Sequence, residues 1–563
     1  MRWSIVKKPK GSTKAQTFIE FNEYCENFSS ESADNDGTLM VANIKKQSKD
    51  NRLKAPKIQK QSVVRGVPAR RRFVWGGRTF RFNLRNFRLG EGLTIRRFSI
   101  MEASFIFIAS LLFSRALGVI RQVTFSAMFD PASSGVKAYI ASAAFPDLLY
   151  SLIAGGALIH AFVPVFLSLE KQKGEYEAWR LASLLFNLLL VIFTAVLLVT
   201  EFLAPELVSR FLVSGFSPAD QAVTVSVTRV MLFQPLILGL GAIASAILNS
   251  KRQFLLPALS LAVYNVGLIG GLVVAKLVPS VGIYGPTYGT LVAAALQFLV
   301  LMVGLVKQRV RYFFTWDFRN PWLRQVLVLL LPNAMAVGVA SMVSIVDTNF
   351  SSMLPDPNSL AALQNAQLLQ AVPVAIVAVV AQSLLPQLTI HAEAGRYVRM
   401  RQTAWKVMGV AALFTVPCLV GFIVIGQPLI RLLFQHGAFT LHAAELTYLA
   451  LLGYVFTMPP LALTNLIPTG FFAFKDALTP FLCNTFALLL HIALLVLFFQ
   501  ALHGPAIILA IPLALAGSAM AESVLQAALL FYRLHRRIPL DKGMQRLQRR
   551  RLSKKERVQG STP

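Results

Sequence analysis

The sequence predicts an all-α polytopic membrane protein with about twelve transmembrane helices. Of its 563 residues 55% are hydrophobic and only 14% are charged, and the mean hydropathy is +0.58. These values are typical of membrane proteins and exclude a soluble domain with a large core. From residue 103 onward the chain is a series of apolar segments of roughly 20 residues, the length that crosses a bilayer at a rise of 1.5 Å per residue.

The predicted spans form two groups of six, which are separated by a long polar loop at residues 307–324. They lie near residues 103–128, 138–168, 181–203, 223–249, 255–277, 285–306, 325–353, 360–390, 404–425, 444–471, 478–500 and 504–532. An even number of spans places both tails on the same side of the membrane. The N-terminus lacks the apolar core of a signal peptide, so the first span is expected to direct insertion.

Positive charge alternates from one short loop to the next. Five alternate connections carry 15 Lys and Arg residues, whereas the opposite set carries about four, namely Lys137, Arg210, Lys276 and Arg431. Because cytoplasmic loops are enriched in Lys and Arg, the first set is predicted to be cytoplasmic. Both termini are then cytoplasmic as well.

The two tails hold most of the excess positive charge. Residues 1–100 have a net charge of +14 and residues 533–563 one of +9, within a total of +29. Basic flanks of this kind are typical of cytoplasmic ends beside anionic lipid, so membrane lipid is expected as a partner and nucleic acid is not. The first hundred residues lack periodicity and are predicted to be a disordered extension, with a start at Met101 as the alternative.

The predicted organisation therefore has five parts. They are the extension at 1–100, a first six-helix lobe at 101–306, a cytoplasmic linker at 307–324, a second six-helix lobe at 325–532 and a basic cytoplasmic tail at 533–563.

The two groups of spans resemble each other. The tight loop KRQFLLP at 251–257 joins the fourth and fifth helices of the first group, and FKDALTP at 474–480 stands at the same place in the second. The second helix of each group holds paired prolines, Pro146 with Pro164 and Pro373 with Pro386. Internal duplication with Pro-interrupted helices is typical of transporters, in which the substrate site lies between the repeats.

No pattern typical of a catalytic site is present in the sequence. It holds no phosphate-binding glycine loop and no zinc-protease motif, and its three cysteines are too far apart for a metal-ligand spacing. Three histidines in or beside spans, His160, His391 and His491, are predicted to be packed or interfacial residues. We therefore expect no enzymatic activity, no cofactor and no metal site.

A few charged residues lie inside the predicted spans. They are Arg115, Arg121, Asp147, Arg229, Asp347 and Glu522. A charge within the bilayer costs from about 3 to more than 10 kcal/mol, so each such residue needs a partner or a function. Arg229 and Glu522 lie near segment ends, where a local pair or a side chain extended to the interface is expected.

The two arginines of the first span have two interpretations. Arg115 lies roughly 18 Å into its helix, and Arg121 lies about 120° round the helix and about 9 Å further along. They form an intramembrane ion pair with Asp147 or Asp347 that locks two helices together, or they line a cavity for an anionic substrate. A guanidinium suits phosphate because its planar fork donates two hydrogen bonds at once.

Several segments resemble the MurJ (MviN) family of lipid II flippases, within the superfamily of multidrug, oligosaccharidyl-lipid and polysaccharide exporters. The similar segments are FSRALGVIRQ at 113–122, FPDLLYSLIAGGALIHAFVPVF at 145–166, ILNSKRQFLLPAL at 247–259, VDTNFSSMLP at 346–355, SLLPQL at 383–388, LLFQHGAFT at 432–440 and FFAFKDALTP at 471–480. Their order and spacing cover roughly residues 103–535.

The resemblance implies two six-helix bundles around a central cavity in the cytoplasmic (inner) membrane of a bacterium. Alternating access would carry the undecaprenyl-diphosphate-linked muropeptide to the outer leaflet. The cavity arginines of the family match Arg115 and Arg121, which are therefore expected to bind this substrate. Other proteins of cell-wall synthesis are a further expected class of partner.

The chain is a divergent member by this resemblance. The family's acidic residue after the second arginine is Gln122 here, and its arginine in the eighth helix falls within QNAQLLQ at 364–370, which carries no charge. The family's arginine pair in helix two falls on Tyr150 and Ser151, and the two last helices of its fourteen are missing from this chain. Two alternatives follow, a flippase for another polyprenyl-linked glycan and a non-transporting scaffold of cell-wall synthesis.

Overall fold

The computed structural model describes residues 73–75, 78–80 and 100–559, apart from residues 154–156, 252, 309 and 475. Side chains are not described at 73–75, 78–80, 100–109, 111–112, 153, 157, 159–160, 332–333, 379, 382–383, 386 and 539–559. Contacts divide the chain into two units, residues 1–86 and 87–563.

The first unit contains a short antiparallel hairpin. Its strands are β1 (Phe73–Trp75) and β2 (Arg78–Phe80), with Val74 opposite Thr79. The sequence predicts no regular structure here, but β-favouring residues on both sides of a Gly-Gly pair are typical of a tight hairpin. The rest of the extension that is predicted to be disordered lies outside the described residues.

The second unit is helical, and its first half ends before the long polar loop. The helices of this half are α1 (Ile100–Met128), α2 (Ser134–Ser142), α3 (Ala144–Ile153), α4 (Ala157–Lys173), α5 (Glu175–Phe202), α6 (Pro218–Met231), α7 (Phe233–Ser250), α8 (Leu255–Leu277) and α9 (Tyr284–Lys307). Short turns at Ala204–Glu206, Leu207–Leu212 and Pro279–Val281 connect them.

The second half repeats this architecture with longer, less divided helices. They are α10 (Pro321–Ser352), α11 (Ser359–Glu393), α12 (Tyr397–Phe434), α13 (Leu441–Tyr454), α14 (Met458–Ala473), α15 (Leu478–Ala501) and α16 (Ala510–Gln559). Two 3-10 turns, Val455–Thr457 and Gly504–Leu509, lie between them.

These helices cover all twelve predicted spans, and ten helices of the described residues are long and apolar enough to cross a membrane. The all-α polytopic fold predicted from hydropathy is therefore confirmed. The predicted span 138–168 differs from its counterpart in the second half. It is divided among α2, α3 and α4, none of which reaches 18 residues, whereas α11 is continuous over 35 residues.

The loop after α7 is fixed by a half-buried lysine. The ammonium group of Lys251 lies 2.5 Å from a carboxylate oxygen of Glu170 and 3.2 Å from one of Glu175. It also lies over the rings of Trp179 and Phe166, which belong to the apolar core of the first half. Two carboxylates and two aromatic faces compensate the ammonium group for its burial.

The equivalent loop in the second half is fixed by a carboxylate. Asp476 accepts hydrogen bonds from the backbone N–H groups of Leu478 and Thr479, from the Thr479 hydroxyl and from Arg533 of α16. Burial raises the pKa of Asp476, but these hydrogen bonds outweigh it and hold the pKa below its ordinary value. We call the end of the molecule that holds these two loops the basic face, since its connections carry most of the loop Lys and Arg residues.

Helix α10 belongs to both halves. At the basic face its residues Leu323, Val326 and Leu330 are part of the core of the first half. Further along, Ser341 lies 2.6 Å from Ser151 of α3, and α10 also packs against α15 of the second half. A displacement of α10 therefore changes contacts in both halves.

Candidate functional site

The two halves meet near the end of α1 that lies away from the basic face. Gln122 is buried there, and its amide nitrogen donates to Gln364 Oε1 at 3.1 Å and to Asn365 Oδ1 at 2.9 Å, both on α11. Asn365 in turn donates to the Ser126 hydroxyl at 3.2 Å. We call Gln122, Ser126, Gln364 and Asn365 the amide cluster.

The amide cluster joins two of the positions at which the family's charges are absent. By the resemblance, the position of the family's acidic residue is Gln122 and the position of its arginine lies within 364–370, where Gln364 contacts Gln122. One charge alone at this buried contact would lack a partner in low dielectric, at a cost of several kcal/mol. The loss of both charges leaves a neutral contact in which amide groups satisfy one another.

Further contacts close the same end of the molecule. The backbone N–H of Ala438 donates to the carbonyl of Ala127 at 2.9 Å, and Asn349 donates to the Ser214 hydroxyl at 3.0 Å. Gly437 adopts a φ of 60°, and a Cβ atom there would lie 2.1 Å from the Ala127 carbonyl oxygen. Only glycine fits this approach, so the sequence itself favours closure at this end.

The side chain of Arg115 is exposed on the same helical face as Gln122. Seven residues separate the two, which brings them to nearly the same side of α1 about 10.5 Å apart along the axis. Gln122 is buried against α11, whereas Arg115 is exposed. The halves therefore touch at the level of Gln122, whereas the Arg115 side chain, nearer the basic face, remains exposed.

Arg121 lies in a different environment from Arg115. It is half-buried beside Tyr139 of α2, and its charge acts on Tyr139 and on Asp147 of α3. Asp147 is exposed, and the phenols of Tyr150 and Tyr264 lie within range of its charge. This group of Arg121, Asp147 and three tyrosines, which we call the tyrosine cluster, contains both donors and acceptors for a polar ligand.

Neither arginine of α1 forms the ion pair that is one interpretation of the sequence. No carboxylate of the described residues lies within 4.0 Å of Arg115 or Arg121. Asp147 interacts with Arg121 only at longer range. Asp347 forms an intramembrane pair with His491 of α15 instead, at 2.7 Å.

The remaining charges inside spans have local partners. Arg229 lies 3.5 Å from a carboxylate oxygen of Glu201, which confirms the local pair expected for it. Glu522 accepts a hydrogen bond from Gln526 at 2.7 Å. Lys137, at the start of the second span, pairs with Asp220 at 2.7 Å. The His160 side chain lies outside the described residues.

Several of these residues were missed by the sequence reasoning. Gln364 and Asn365 carry no charge, and the tyrosines are indistinguishable from ordinary membrane aromatics until α1, α2, α3 and α8 are packed together. His491 was predicted to be a packed residue, and it is buried, but its partner is a carboxylate. The sequence did offer one signal for the amide cluster. The resemblance places an acidic residue at Gln122 and an arginine within 364–370, and this chain lacks both charges.

The arrangement suits the reversible binding of an anionic group. Arg115 offers an exposed guanidinium without a carboxylate partner among the described residues, and such a group binds diphosphate more strongly than one neutralised by an ion pair. In the part of the chain that the structure describes, no three His, Cys, Asp or Glu residues are close enough to hold a metal ion.

Known proteins of the same sequence pattern are lipid II flippases. The family model described as "Lipid II flippase MurJ" matches residues 128–551. The lipid II flippase MurJ of Burkholderia cenocepacia is 28% identical over 377 residues, which are 66% of this chain and 72% of that protein. The corresponding flippase of Thermosipho africanus is 27% identical over 400 residues, which are 71% of this chain and 80% of that protein.

Solved structures give the same result. The inward closed conformation of the lipid II flippase MurJ superposes with a TM-score of 0.64 at 26% identity, over 75% of this chain and 86% of that one. An inward-facing multidrug transporter of the MATE family reaches the same TM-score at 10% identity, over 77% of this chain and 98% of that one, and shares the fold alone. The match of the family model over three quarters of the sequence shows that the chain belongs to the lipid II flippase MurJ family.

Proposed function

We propose that this chain is a lipid II flippase, which moves the undecaprenyl-diphosphate-linked muropeptide across the bacterial cytoplasmic membrane by alternating access. The observation that carries the proposal is the exposed guanidinium of Arg115, seven residues before the contact of α1 with α11, in a chain that belongs to this family. In this proposal the basic face is cytoplasmic, as the positive-inside rule predicts, and both termini lie on that side.

Arg115 is the residue that we expect to hold the diphosphate. Its position near the basic face, beyond the contact made by the amide cluster, favours loading from the cytoplasmic leaflet. Arg121 would hold the polar headgroup together with the tyrosine cluster, since its guanidinium already acts on Asp147 and Tyr139. The two lobes at 101–306 and 325–532 would then rock about α10, which packs against helices of both.

Translocation of lipid II across the bilayer of liposomes tests the function directly. The purified protein is reconstituted, and fluorescent lipid II that has crossed the bilayer is measured by its accessibility to a membrane-impermeant quencher. We expect translocation by the wild type and a loss of at least about 100-fold in Arg115→Ala, because a diphosphate contact made in the loading step is removed. Arg229→Ala is the matched control, since Arg229 is also an exposed arginine inside a predicted span but pairs with Glu201.

The neutral amide cluster favours one alternative, a polyprenyl-linked glycan other than lipid II. Fewer cavity charges relax the requirement for a diphosphate, so lipid-linked sugars with a single phosphate are competing ligands to measure. Preferential binding and transport of such a lipid would replace lipid II as the substrate. If the folded protein translocated none of these lipids, the result would favour the other alternative, a non-transporting scaffold of cell-wall synthesis.

Complementation tests the same function in the cell. Residues 101–563 and the full chain are each expressed in a strain depleted of its own lipid II flippase. We expect both to restore growth, since the helices that form the site begin at Ile100. Growth with Arg115→Ala at wild-type protein levels would contradict the role of Arg115.

A further inference from the structure

A cavity of about 400 Å³ lies in the first half, where its helices end at the basic face. Helices α5 and α9 both pack against α7, and all three line the cavity together with residues 310–312 of the linker. The floor is apolar and buried, since Trp179, Ile243 and Ala244 are each at most 2% exposed. We call this space the linker cavity, and its volume lies within the range of about 300–1,000 Å³ that is typical of ligand sites.

The depth of the linker cavity is close to that of one leaflet of a bilayer. Along α7 the lining runs from Leu240 to Ile247, and the helix ends at Ser250 at the basic face. At 1.5 Å per residue Leu240 lies about 15 Å from that end, which is half of a hydrocarbon core about 30 Å thick. An acyl chain of the leaflet next to the basic face therefore matches the cavity in depth.

The mouth of the linker cavity opens on an apolar surface. Val306 of α9 lines the mouth and is 75% exposed. Leu299 and Val303 are exposed on the same side of that helix, at the i, i+4 and i+7 spacing of one helical face. Apolar surface of this kind on a membrane-crossing helix is in contact with lipid chains. The cavity is therefore accessible from the hydrocarbon of the bilayer.

Hydrogen bonds to α5 hold the linker in place as the roof of the cavity. The backbone N–H of Phe313 donates to the Ser183 hydroxyl at 3.0 Å. The Tyr312 hydroxyl donates to Asn187 Oδ1 at 2.7 Å, and Asn187 Nδ2 donates to the carbonyl of Thr315 at 3.1 Å. Residues 312–315 are thus fixed along α5, and the roof is an ordered part of the cavity wall.

A cation lies at the mouth of the linker cavity. Arg311 lines the cavity and is exposed, and no carboxylate of the described residues lies within 4.0 Å of it. Its charge acts on Glu175, which is already bonded to Lys251. The linker at 307–324 contains five Lys and Arg residues and one acidic residue, Asp317. The mouth therefore favours an anionic group, and a guanidinium suits phosphate in particular.

Three exposed aromatic side chains follow in the linker. Phe314 is 77% exposed, Trp316 41% and Phe318 54%. The ring of Trp316 contacts the other two, at centroid distances of 5.6 Å and 5.9 Å. Aromatic side chains, Trp and Tyr above all, are enriched where a membrane meets water. This row of rings is typical of a segment at the level of lipid headgroups, which is where Arg311 would meet a phosphate.

We propose that the linker cavity binds an anionic phospholipid of the leaflet at the basic face, with one acyl chain between α5, α7 and α9 and its phosphate on Arg311. A soluble anion would leave the apolar cavity empty, and an uncharged lipid would leave the guanidinium without a partner. The bound lipid holds the linker against the first half, just before α10 begins at Pro321. Binding at this site does not depend on the proposed function.

Tryptophan quenching measures the occupancy of the linker cavity in the full-length protein. Trp179 is kept as the only tryptophan, and the other five of the six are replaced by phenylalanine. The protein is placed in phosphatidylcholine nanodiscs that contain an increasing fraction of brominated phosphatidylglycerol or of brominated phosphatidylcholine. Bromine quenches at short range, so the buried Trp179 is quenched when a brominated chain enters the cavity. We expect saturable quenching and an affinity about fivefold higher for phosphatidylglycerol, the effect of one cation beside an anionic lipid.

Matched variants separate the headgroup contact from the chain contact. Arg311→Gln should reduce the preference for phosphatidylglycerol to less than about twofold, since the cation at the mouth is lost. Arg319→Gln, which alters an exposed arginine of the same linker outside the cavity lining, should keep the preference. Ala244→Leu fills the floor and should reduce quenching of Trp179 by both lipids. A second protein that keeps only the exposed Trp405 measures quenching at the lipid-facing surface.

Four results would overturn the proposal. They are a monodisperse protein in which Trp405 is quenched and Trp179 is not, equal affinities for the two lipids, a preference for phosphatidylglycerol that survives Arg311→Gln, and quenching of Trp179 that survives Ala244→Leu. Unlabelled undecaprenyl phosphate is added as a competitor in the same assay. If it displaced the brominated lipid at a far lower mole fraction than unlabelled phosphatidylglycerol does, the cavity would be a polyprenyl phosphate site and the assignment to phospholipid would be wrong.

Discussion

The two halves of the molecule hold their intramembrane charges in opposite ways. In the first half Arg115 and Asp147 are exposed and lack an ion pair among the described residues. In the second half Asp347 and His491 are largely buried and bonded to each other. Exposed charges remain free to bind a ligand, whereas buried charges must be satisfied within the protein. Arg115 and Asp147 of the first half thus remain available to a ligand, whereas Asp347 and His491 of the second half are satisfied by each other.

The two equivalent loops at the basic face also differ, in the sign of the charged residue that fixes them. A lysine between two glutamates fixes the loop after α7, and an aspartate beside an arginine fixes the loop after α14. Both join the fourth and fifth spans of their half to a neighbouring helix. The anchor is the first residue of the segment 251–257 and the third residue of the segment 474–480, so neither its position nor its sign is the same, because either sign anchors a loop when opposite charge surrounds it.

The largest expected effect is the difference in stability between a variant of the buried Asp347–His491 pair and a variant of the exposed Arg115. His491→Ala leaves the Asp347 carboxylate buried without a partner, so the free energy of unfolding should fall by about 3–5 kcal/mol. Arg115→Ala removes an exposed side chain without an ion pair among the described residues and should change stability by less than about 0.5 kcal/mol. Unfolding of both variants in detergent, followed by tryptophan fluorescence against temperature, measures the contrast.

A double variant controls for the cavity that alanine leaves. Asp347→Asn with His491→Gln keeps two polar side chains of similar volume and removes both charges, and it should recover most of the stability lost in His491→Ala. Equal destabilisation by Arg115→Ala and His491→Ala would show that the halves do not differ in the way described.

The same contrast explains what the sequence could and could not predict. Hydropathy predicted the apolar segments that the helices cover, ten of which are long and apolar enough to span among the described residues, because membrane insertion depends on local composition. The partner of Asp347 lies 144 residues away and that of Gln122 lies 242 residues away, and no local pattern links them. Arg115 and Arg121 were found because a charge in an apolar helix is conspicuous, whereas uncharged partners such as Gln364 are not. The division of the second span into α2, α3 and α4 was missed because its apolar composition is continuous.

An intermediate effect is expected where the two halves meet. Gln122→Glu places a carboxylate in the buried amide cluster and should weaken the closed contact by roughly 2 kcal/mol, since the added charge lacks a cation. Gln364→Arg in the same protein would supply that cation opposite the new carboxylate. Distances between spin labels attached to the two halves measure the closed population of each variant.

The double-mutant cycle carries its own control. The closed contact of the double variant should be more stable than the sum of the two single-variant effects predicts. The difference should be at least about 1 kcal/mol, because the residues at positions 122 and 364 are in direct contact. Additive single effects would mean that the amide cluster does not act as one contact between the halves.

The smallest expected effect concerns the anchor of the second half. The pKa of Asp476 is held below its ordinary value of 3.8, so its stabilisation is fully present above that value and is lost as the pH falls through the lower pKa of the folded state. Asp476→Asn keeps an oxygen for the backbone N–H groups of Leu478 and Thr479 but loses the charge that faces Arg533. We expect about 1 kcal/mol less stability near neutral pH, and a smaller loss on acidification than in the wild type. Thermal unfolding at a series of pH values measures both, with Asp317→Asn on the exposed linker as the control. An Asp476→Asn protein that loses as much stability in acid as the wild type would show that this carboxylate is not the acid-sensitive anchor of the second half.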